Sequence, residues 1–546
     1  MGLLELAAYP FQDGLPVDLY LRLDPLISVG SILAAREFAL FLLPGIIVLA
    51  AALICGRFFC GHICPMGTTL DFCQSPLTGK KRLPGKTNSY EATGQYRSWK
   101  YVVLAVMLGA ALCGVSLLFL GSPLSLVTRF YGLVLYPILL LLGDSGVQVA
   151  ATALTSFPAL SYVQIPQKVF ATNLFVASLF LGIAALACVQ PRFWCRNLCP
   201  AGALLGLFSR KPLVRRSVSE SCSSCGLCSR RCPTGAISED PSKTVHSECI
   251  VCLRCVEVCP ESAISFHATA GKPEPSFSGP DLTRRGIVLS LGSGLLTAGL
   301  FKTSIAQSRP LGRERSIAEG DLVRPPGAMP EPEFLAKCVR CGECMKACAT
   351  NTLQPVWLKA GLEGIFSPVM VPRLAACAIN CTVCGRVCPT GAIRDLPLIE
   401  KQHAKVGTAW IERSNCLVWE QDKKCLVCDE CCPYNAVSFR PVPDRRNAVP
   451  FVVANKCTGC GWCETKCPVE GSSAIRVNIL GEIRLASGSY VEKAREYGLV
   501  FQVADNKGDR LAPDTFSLPP ETAEPHSATQ TPKDPATSLP PGFNER

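Results

Sequence analysis

Near the middle of the chain, eight cysteines stand in two runs of one form. Cys222, Cys225, Cys228 and Cys232 precede Pro233, and Cys249, Cys252, Cys255 and Cys259 precede Pro260. Three thiolates separated by two residues each wrap three corners of one iron–sulfur cube, while a fourth cysteine held before proline reaches across to a second cube. This spacing predicts Cys222, Cys225, Cys228 and Cys259 on one [4Fe–4S] cluster, with Cys249, Cys252, Cys255 and Cys232 on the other. Zinc sites and disulfides also use cysteine. Zinc, however, favours separated CxxC pairs or CxxC with HxxxH, and here all eight residues are cysteines in triplets plus one.

The rest of the chain falls into two classes on either side of this module. Its 546 residues suffice for three or four domains. A mean hydropathy of +0.27 beside 33 cysteines joins apolar runs to a cysteine-rich protein. The net charge of +11 comes from Lys and Arg beside the apolar segments, where orientation in a bilayer explains them, so no nucleic-acid role is expected. With five histidines and no CxxCH, the chain carries no c-type haem of its own. Neither a phosphate loop nor a nucleotide fingerprint is present, and no acid–base active site is apparent.

Upstream, residues 1–10 read as the last turns of an apolar helix, so a start further upstream is expected. Residues 38–56 lack charge over 19 positions and are long enough to cross a bilayer. They lead into Arg57-Phe-Phe-Cys60-Gly-His-Ile-Cys64-Pro65-Met-Gly67, and the Lys80, Lys81, Arg82, Lys86, Arg97 and Lys100 that follow place this motif in the cytoplasm. Residues 101–121 are expected to return across the membrane. Two weaker stretches, 130–143 and 145–167, are interrupted by Pro or polar residues and are expected to lie at the outer face without crossing. A strong helix over 169–190 then ends at Arg192-Phe-Trp-Cys195-Arg-Asn-Leu-Cys199-Pro200-Ala-Gly202, again followed by Arg and Lys.

The two motifs repeat one pattern, Arg-Phe-(Phe/Trp)-Cys-x-x-x-Cys-Pro-x-Gly, each at the end of an apolar helix. The repetition suggests that Cys60, Cys64, Cys195 and Cys199 converge at the cytoplasmic membrane edge, as a further metal or redox centre near bound quinone. Cys55, Cys73, Cys113 and Cys188 lack such flanks and read as small packing residues.

Downstream, residues 268–280 form a Gly/Pro/Ser linker. Arg284-Arg285 then precedes sixteen uncharged residues from Gly286. That pairing resembles a twin-arginine export signal placed internally, and a plain membrane helix reads the same residues; either way the chain continues on the far side. Four more runs follow: Cys338, Cys341, Cys344, Cys348; Cys377, Cys381, Cys384, Cys388; Cys416, Cys425, Cys428, Cys432; and Cys457, Cys460, Cys463, Cys467. Ala349 replaces the usual proline in the first, and in the third Cys432 is preferred over Cys431 because it precedes Pro433. An exported disulfide framework is the competing reading. The spacings repeat those of the central module, however, so one chemistry accounts for all six runs and six [4Fe–4S] clusters are expected.

The membrane half, through its two Cys-x-x-x-Cys-Pro repeats and the Cys222 to Cys259 module, resembles the NapH-type membrane ferredoxins and the related nitrous oxide reductase regulator. The second half, with its twin-arginine-like segment and four runs, resembles the NapG/MauM-type periplasmic ferredoxins. The resemblance implies a fusion of two partners. It would be multi-domain, an α-helical membrane domain plus α+β bacterial-type ferredoxin domains: 1–212 membrane, 213–267 cytoplasmic two-cluster, 268–305 linker and membrane segment, 306–480 periplasmic four-cluster, and 481–546 extension and disordered tail. It also implies an electron-transfer component of the bacterial inner membrane, with clusters on both faces, linking membrane quinol to a periplasmic reductase or cytochrome as a quinol dehydrogenase subunit would. An accessory iron–sulfur protein for maturation or regulation of a periplasmic metalloenzyme is the alternative.

Overall fold

The apolar stretches of the first two hundred residues are helical in the computed structural model, which describes residues 18–78, 96–153, 167–268, 284–302 and 322–503. Expectations for residues 1–10, the lysines at 80–86, the linker at 269–280 and the tail beyond 506 lie outside the described residues. Helices α1 (Pro25–Ala35), α2 (Leu43–Cys55), α3 (Phe58–His62), α4 (Pro65–Thr78) and α5 (Trp99–Leu112) come first. Then follow α6 (Pro123–Phe130), a π turn over Tyr131–Leu135 that runs straight into α7 (Tyr136–Ala153), α8 (Asn173–Ala185) and α9 (Pro200–Phe208). Several start alike, with proline at the first position and a capping side chain before it. Asp24 accepts from the Leu26 amide, Ser122 from Ser125, and the Cys199 sulfur from Gly202.

The structure corrects two helix boundaries. The segment expected to span 101–121 stops at Leu112; beyond it the chain folds back inward and buries Leu117, Leu118 and Phe119. Residues 130–143 and the described start of the 145–167 stretch, residues 145–153, are not separate outer helices but parts of one continuous helix over 123–153, of which Pro123–Val149 is the one span among the described residues long and apolar enough to cross a membrane; residues 154–166 lie outside the described residues. Shorter apolar helices cover Pro25–Ala35, Leu40–Cys55, Trp99–Leu112 and Asn173–Cys188.

The central module pairs β1 (Val214–Val218) with β2 (Ile264–Ala268), antiparallel, around two short helices, α10 (Leu227–Arg231) and α11 (Arg254–Glu257). After it, α12 (Arg284–Lys302) returns to the helical domain and lies along α5, in the same direction. Lys302 at its end donates to the Cys113 carbonyl at the end of α5 (2.5 Å). Its buried residues are Ser290, Gly294 and Ala298, one small residue per turn. A Cβ on Gly294 would stand 2.3 Å from the Val106 carbonyl oxygen, so only glycine lets the two backbones approach this closely.

The last module is built from three antiparallel pairs, Leu353–Pro355 with Pro368–Met370, Thr408–Ile411 with Ile475–Asn478, and Val437–Arg440 with Val449–Val452. The boundary expected at 480 moves outward. A helix at Tyr490–Glu496 buries Tyr490 completely, and Ala494 and Phe501 join the core of the module. Chain that fills core in this way belongs to the domain, whatever its distance from the last cysteine.

The two cysteine-rich modules occupy opposite ends of α5. At its start, Arg97 donates to the Thr234 and Gly235 carbonyls (3.0 and 2.8 Å) and Lys100 to Glu248 (2.5 Å). At the other end, Arg340 donates to the Ser116 carbonyl (2.8 Å), Lys337 pairs with Glu37 (2.7 Å) and Ala336 packs with Ala34 and Ala111. The fourteen residues of α5 separate the two ends by about 21 Å.

Candidate metal centres

In each cysteine-rich pair the structure brings together three cysteines of one run and the last of the other. Cys249, Cys252, Cys255 and Cys232 line one cavity; Cys457, Cys460, Cys463 and Cys432 a second; Cys416, Cys425, Cys428 and Cys467 a third. Cys338, Cys341 and Cys344 lie within electrostatic reach of Cys388, and Cys377, Cys381 and Cys384 within reach of Cys348. Cys228 neighbours Cys222 and Cys225 and shares an apolar cluster with Cys259. Cys431 lines neither of the last two cavities; its sulfur sits 3.7 Å from the Cys428 carbonyl.

The backbone of these runs is shaped for inward-pointing sulfurs. In four of them the residues just before and just after the second cysteine are left-handed: Ser224 and Gly226, Val251 and Leu253, Arg340 and Gly342, Gly459 and Gly461. Val251, β-branched at a φ of 53°, is a strained conformation that persists only where its surroundings over-determine it. Backbone amides then donate to the sulfur of the fourth cysteine, from Ala236 to Cys232 (3.3 Å), Ile393 to Cys388 (3.5 Å) and Ala436 to Cys432 (3.2 Å). Such bonds favour thiolate and tune cluster potential. Burial pushes the Cys249 thiol up to about 12, so a bare cysteine there is neutral at pH 7 and coordination must draw off its proton. All-cysteine donors, left-handed wrapping and amide-to-sulfur bonds fit [4Fe–4S] clusters. No group of three or more metal-binding side chains among the described residues closes on a single-ion site.

The sets of the last module neighbour one another in succession. In the last module the Cys338 set is nearest the helical domain: α6 holds its loop through Ser125 to the Val339 carbonyl (3.0 Å) and Arg129 to the Arg340 carbonyl (3.0 Å). Cys344 of this set reaches Cys384 of the next, and the Cys377 amide donates to the Cys460 carbonyl (2.9 Å) of the third. The Cys416 set lies beyond. In the central module the Cys249 set faces the helical domain. A Cβ on Gly61 would stand 2.2 Å from the Ile250 carbonyl oxygen, and His62 bonds the Val251 carbonyl (3.0 Å).

Cys60, Cys64, Cys195 and Cys199 are brought together. Cys64 lies within electrostatic reach of the other three and is shared by two apolar groups, one holding Cys199 and the other Cys195. The arginine and glycine of the repeated motif cross over to join the halves. Arg57 of the first repeat lies on Gly202 of the second, where a Cβ would stand 2.6 Å from its Nη2; Arg192 of the second lies on Gly67 of the first, where a Cβ would stand 3.0 Å from its Cζ. Cys199 is 5% exposed and the adjoining Pro200 packs against Gly121, inside the bundle, because each motif turns back inward after its helix ends. Cys188 is exposed, and Cys113 lies at the far end of α5.

Outward from the clasp, both arginines anchor the central module. Arg57 donates to the Ser247 carbonyl and to Glu248 (both 3.1 Å), and Arg192 makes a two-pronged bond to Asp71 (2.9 and 2.8 Å), which also accepts from Arg254 (2.9 Å). Glu248 is 1% exposed. Burial alone would raise its carboxyl, but Lys100, Arg57 and Arg97 together hold it below the ordinary carboxylate value. Reading the sequence for cysteines alone passes over Glu248 and Arg196; for the clasp, the signal was the Arg and Gly that flank each repeat.

Comparison with known proteins bears on both halves. Residues 38–84 and 172–219 each match a family model described as a 4Fe-4S binding domain, and residues 215–260 match one described as a 4Fe-4S dicluster domain. The methylamine utilization ferredoxin-type protein MauM of Methylorubrum extorquens is 39% identical over 188 residues, 33% of this chain and 80% of that protein. MauM of Paracoccus denitrificans is 38% identical over 203 residues, 36% and 87% respectively. The ferredoxin-type protein NapG of Escherichia coli is 36% identical over 177 residues, 31% and 74% respectively.

Proposed function

The chain belongs to the ferredoxin-type family of MauM and NapG, and from that premise we propose that this multi-cluster 4Fe–4S electron-transfer protein works across the bacterial inner membrane. In this reading its helical half acts as a NapH-type anchor, the central module lies in the cytoplasm and the last module in the periplasm. Quinol gives up two electrons and two protons to become quinone; the electrons leave singly along the cysteine sets toward a periplasmic reductase or cytochrome. Bound clusters supply the one-electron steps. The protein holds neighbouring sets in contact, shields them from water and fixes the two modules at opposite ends of one helical body.

The observation that carries this reading is that opposite placement, together with an apolar outer surface between the modules. Leu174 (81% exposed) and Leu181 on α8, and Leu289 and Leu296 (73%) on α12, point outward, as a lipid-facing surface requires. Arg97, Lys100, Arg192, Arg210 and Lys211 gather at the end that holds the central module, which favours the cytoplasm for that end. The arginine pair that opens α12 suits insertion from the same side.

The test is quinol-driven reduction in anaerobic membranes holding the full chain. A short-chain quinol should bleach the cluster absorbance, with two electrons delivered per quinol consumed. Reduction by a low-potential dye but not by quinol would refute the quinone link. Normal electron flow beside an apo partner enzyme in a deletion strain would favour the accessory role instead.

A further inference from the structure

We propose that Cys60, Cys64, Cys195 and Cys199 hold one iron–sulfur centre inside the helical domain, and that this centre joins the electron paths of the two modules. The inference deepens the proposed function and rests on it for the direction of use, though not for the metal content.

The ligand set is complete only when the repeats meet. Each motif supplies two thiolates, and the segment 172–219 holds three cysteines in all, of which Cys188 is exposed. A four-thiolate site built from the repeated motifs, two cysteines from each, needs both repeats, and the reciprocal Arg–Gly clasp closes them on each other. Thiolate donors without histidine or carboxylate select iron–sulfur or other soft metals. The Cys199 sulfur already accepts an amide hydrogen from Gly202 (3.4 Å), as the fourth cysteines of the ferredoxin runs accept theirs.

Two further observations point to an anionic ligand. First, Arg57 Nε and Trp194 Nε1 are buried donors with no acceptor among the described residues. Arg57 is 2% exposed, and Trp194 packs in both apolar groups around the four sulfurs. Sulfides and thiolates of a cluster accept such bonds. Second, Arg57, Arg97, Lys100 and Arg196 are buried together with Glu248 as their carboxylate, while Arg192 and Arg254 share Asp71. Uncompensated buried cations are costly. A four-thiolate cluster in its oxidised form carries about −2, so one at the Cys249 set and one at these four cysteines would balance the excess.

The location suits a relay. Transfer falls steeply with distance, and α5 separates the modules by about 21 Å. On one side, Gly61, next to Cys60, touches Ile250 between Cys249 and Cys252. On the other, one helix intervenes. Leu126 and Val127 of α6 pack in the apolar group of Cys64 and Cys195, while Ser125 and Thr128 bond the Val339 and Cys341 carbonyls. A helix is about 10–12 Å across with its side chains, so the long step divides into two short ones. An electron leaving the Cys249 set oxidises that set by one and reduces the four-cysteine set by one; its departure to the Cys338 set restores the latter.

The experiment uses the full chain, purified anaerobically after growth on 57Fe, and compares wild type with Cys60→Ser/Cys195→Ser. Six cubes account for about 24 iron atoms per chain. The wild type should hold about two to four more, and the variant should fall back to about 24 with one Mössbauer component lost and the rest unchanged. In vesicles, electrons given to the cytoplasmic clusters should then no longer reach the periplasmic ones. Equal iron in the two proteins, or zinc or copper in place of the extra iron, overturns the proposal. If the double variant fails to assemble, Arg57→Lys keeps the charge but loses the Nε donor; it should retain the extra iron and shift the potential of that component alone, and an unshifted component counts against the site. Extra iron without bleaching by quinol would refute the quinone reading while this centre stands. Bleaching by quinol with about 24 iron would do the reverse.

Discussion

Glu248→Gln should undock the central module from the helical domain. The carboxylate is 1% exposed and meets Lys100 at 2.5 and 2.6 Å, Arg57 at 3.1 Å and Arg97 at 3.6 Å. Glutamine keeps the shape but removes the negative charge, leaving three buried cations facing an amide. Breaking a buried pair by removing one partner costs about 3–5 kcal/mol, chiefly because the remaining charge stays desolvated. At about 1.36 kcal/mol per factor of ten, the equilibrium for opening this interface should rise by about 10²–10⁴. Hydrogen exchange reads that opening directly. Amides of residues 58–64 and 246–251 should exchange faster by the same factor, whereas those of the last module should not change. Lys100→Met in the Glu248→Gln background removes one stranded cation and should recover part of the loss, which a double-mutant cycle measures. Exchange within tenfold of wild type would refute the view that this ion cluster holds the interface.

Gly294→Ala should cost on the order of 1–3 kcal/mol, because the added methyl meets the Val106 carbonyl at 2.3 Å and backbone cannot step aside; thermal unfolding of the detergent-solubilised chain reads this. Gly202→Ala should be milder, since it meets the end of the Arg57 side chain, and should loosen the clasp between the repeats as seen by cross-linking. His246 is held down to about 4 by burial and by the charges of Arg215 and Arg216, against an ordinary 6.5. Between those values the unfolded chain binds a proton that the folded module refuses, so stability falls as pH drops from about 6.5 and levels off near 4. His246→Gln should flatten that slope, and an unchanged pH profile would show that His246 is not its source. Arg284→Lys with Arg285→Lys preserves the positive charge and removes the export signature, so a reporter after Pro330 stays inside if twin-arginine export operates; normal export would leave α12 as a plain membrane helix.

Local chemistry was legible in the sequence. Ligand spacing is a short-range property, so the pairing of three cysteines with the last of the neighbouring run could be written down for the central module, whereas for the four later runs, read as separate sets, the structure supplied it. The Arg-Phe-(Phe/Trp)-Cys-x-x-x-Cys-Pro-x-Gly repeat likewise announced that two helix ends are equivalent. The helix boundaries were less legible, because apolar composition alone does not distinguish a helix from chain that folds back into the same core, as residues 113–122 do. The edge of the last domain was misread for a related reason: Tyr490 and Phe501 carry no cysteine, and only packing reveals that they fill core.

What the sequence by itself determined is therefore the donor set and its local geometry, since a few residues of chain suffice to aim three sulfurs at one point. Only the tertiary structure decided how those sets follow one another, that the two modules sit at opposite ends of α5, and that Arg57 and Arg192 cross to glycines of the other repeat. These are contacts between residues far apart in the chain, 40 positions for Cys344 and Cys384 and more than a hundred for the Arg–Gly crossings. Their existence depends on how helices pack and on where buried charge finds its counter-charge, and neither is written in any single stretch of chain.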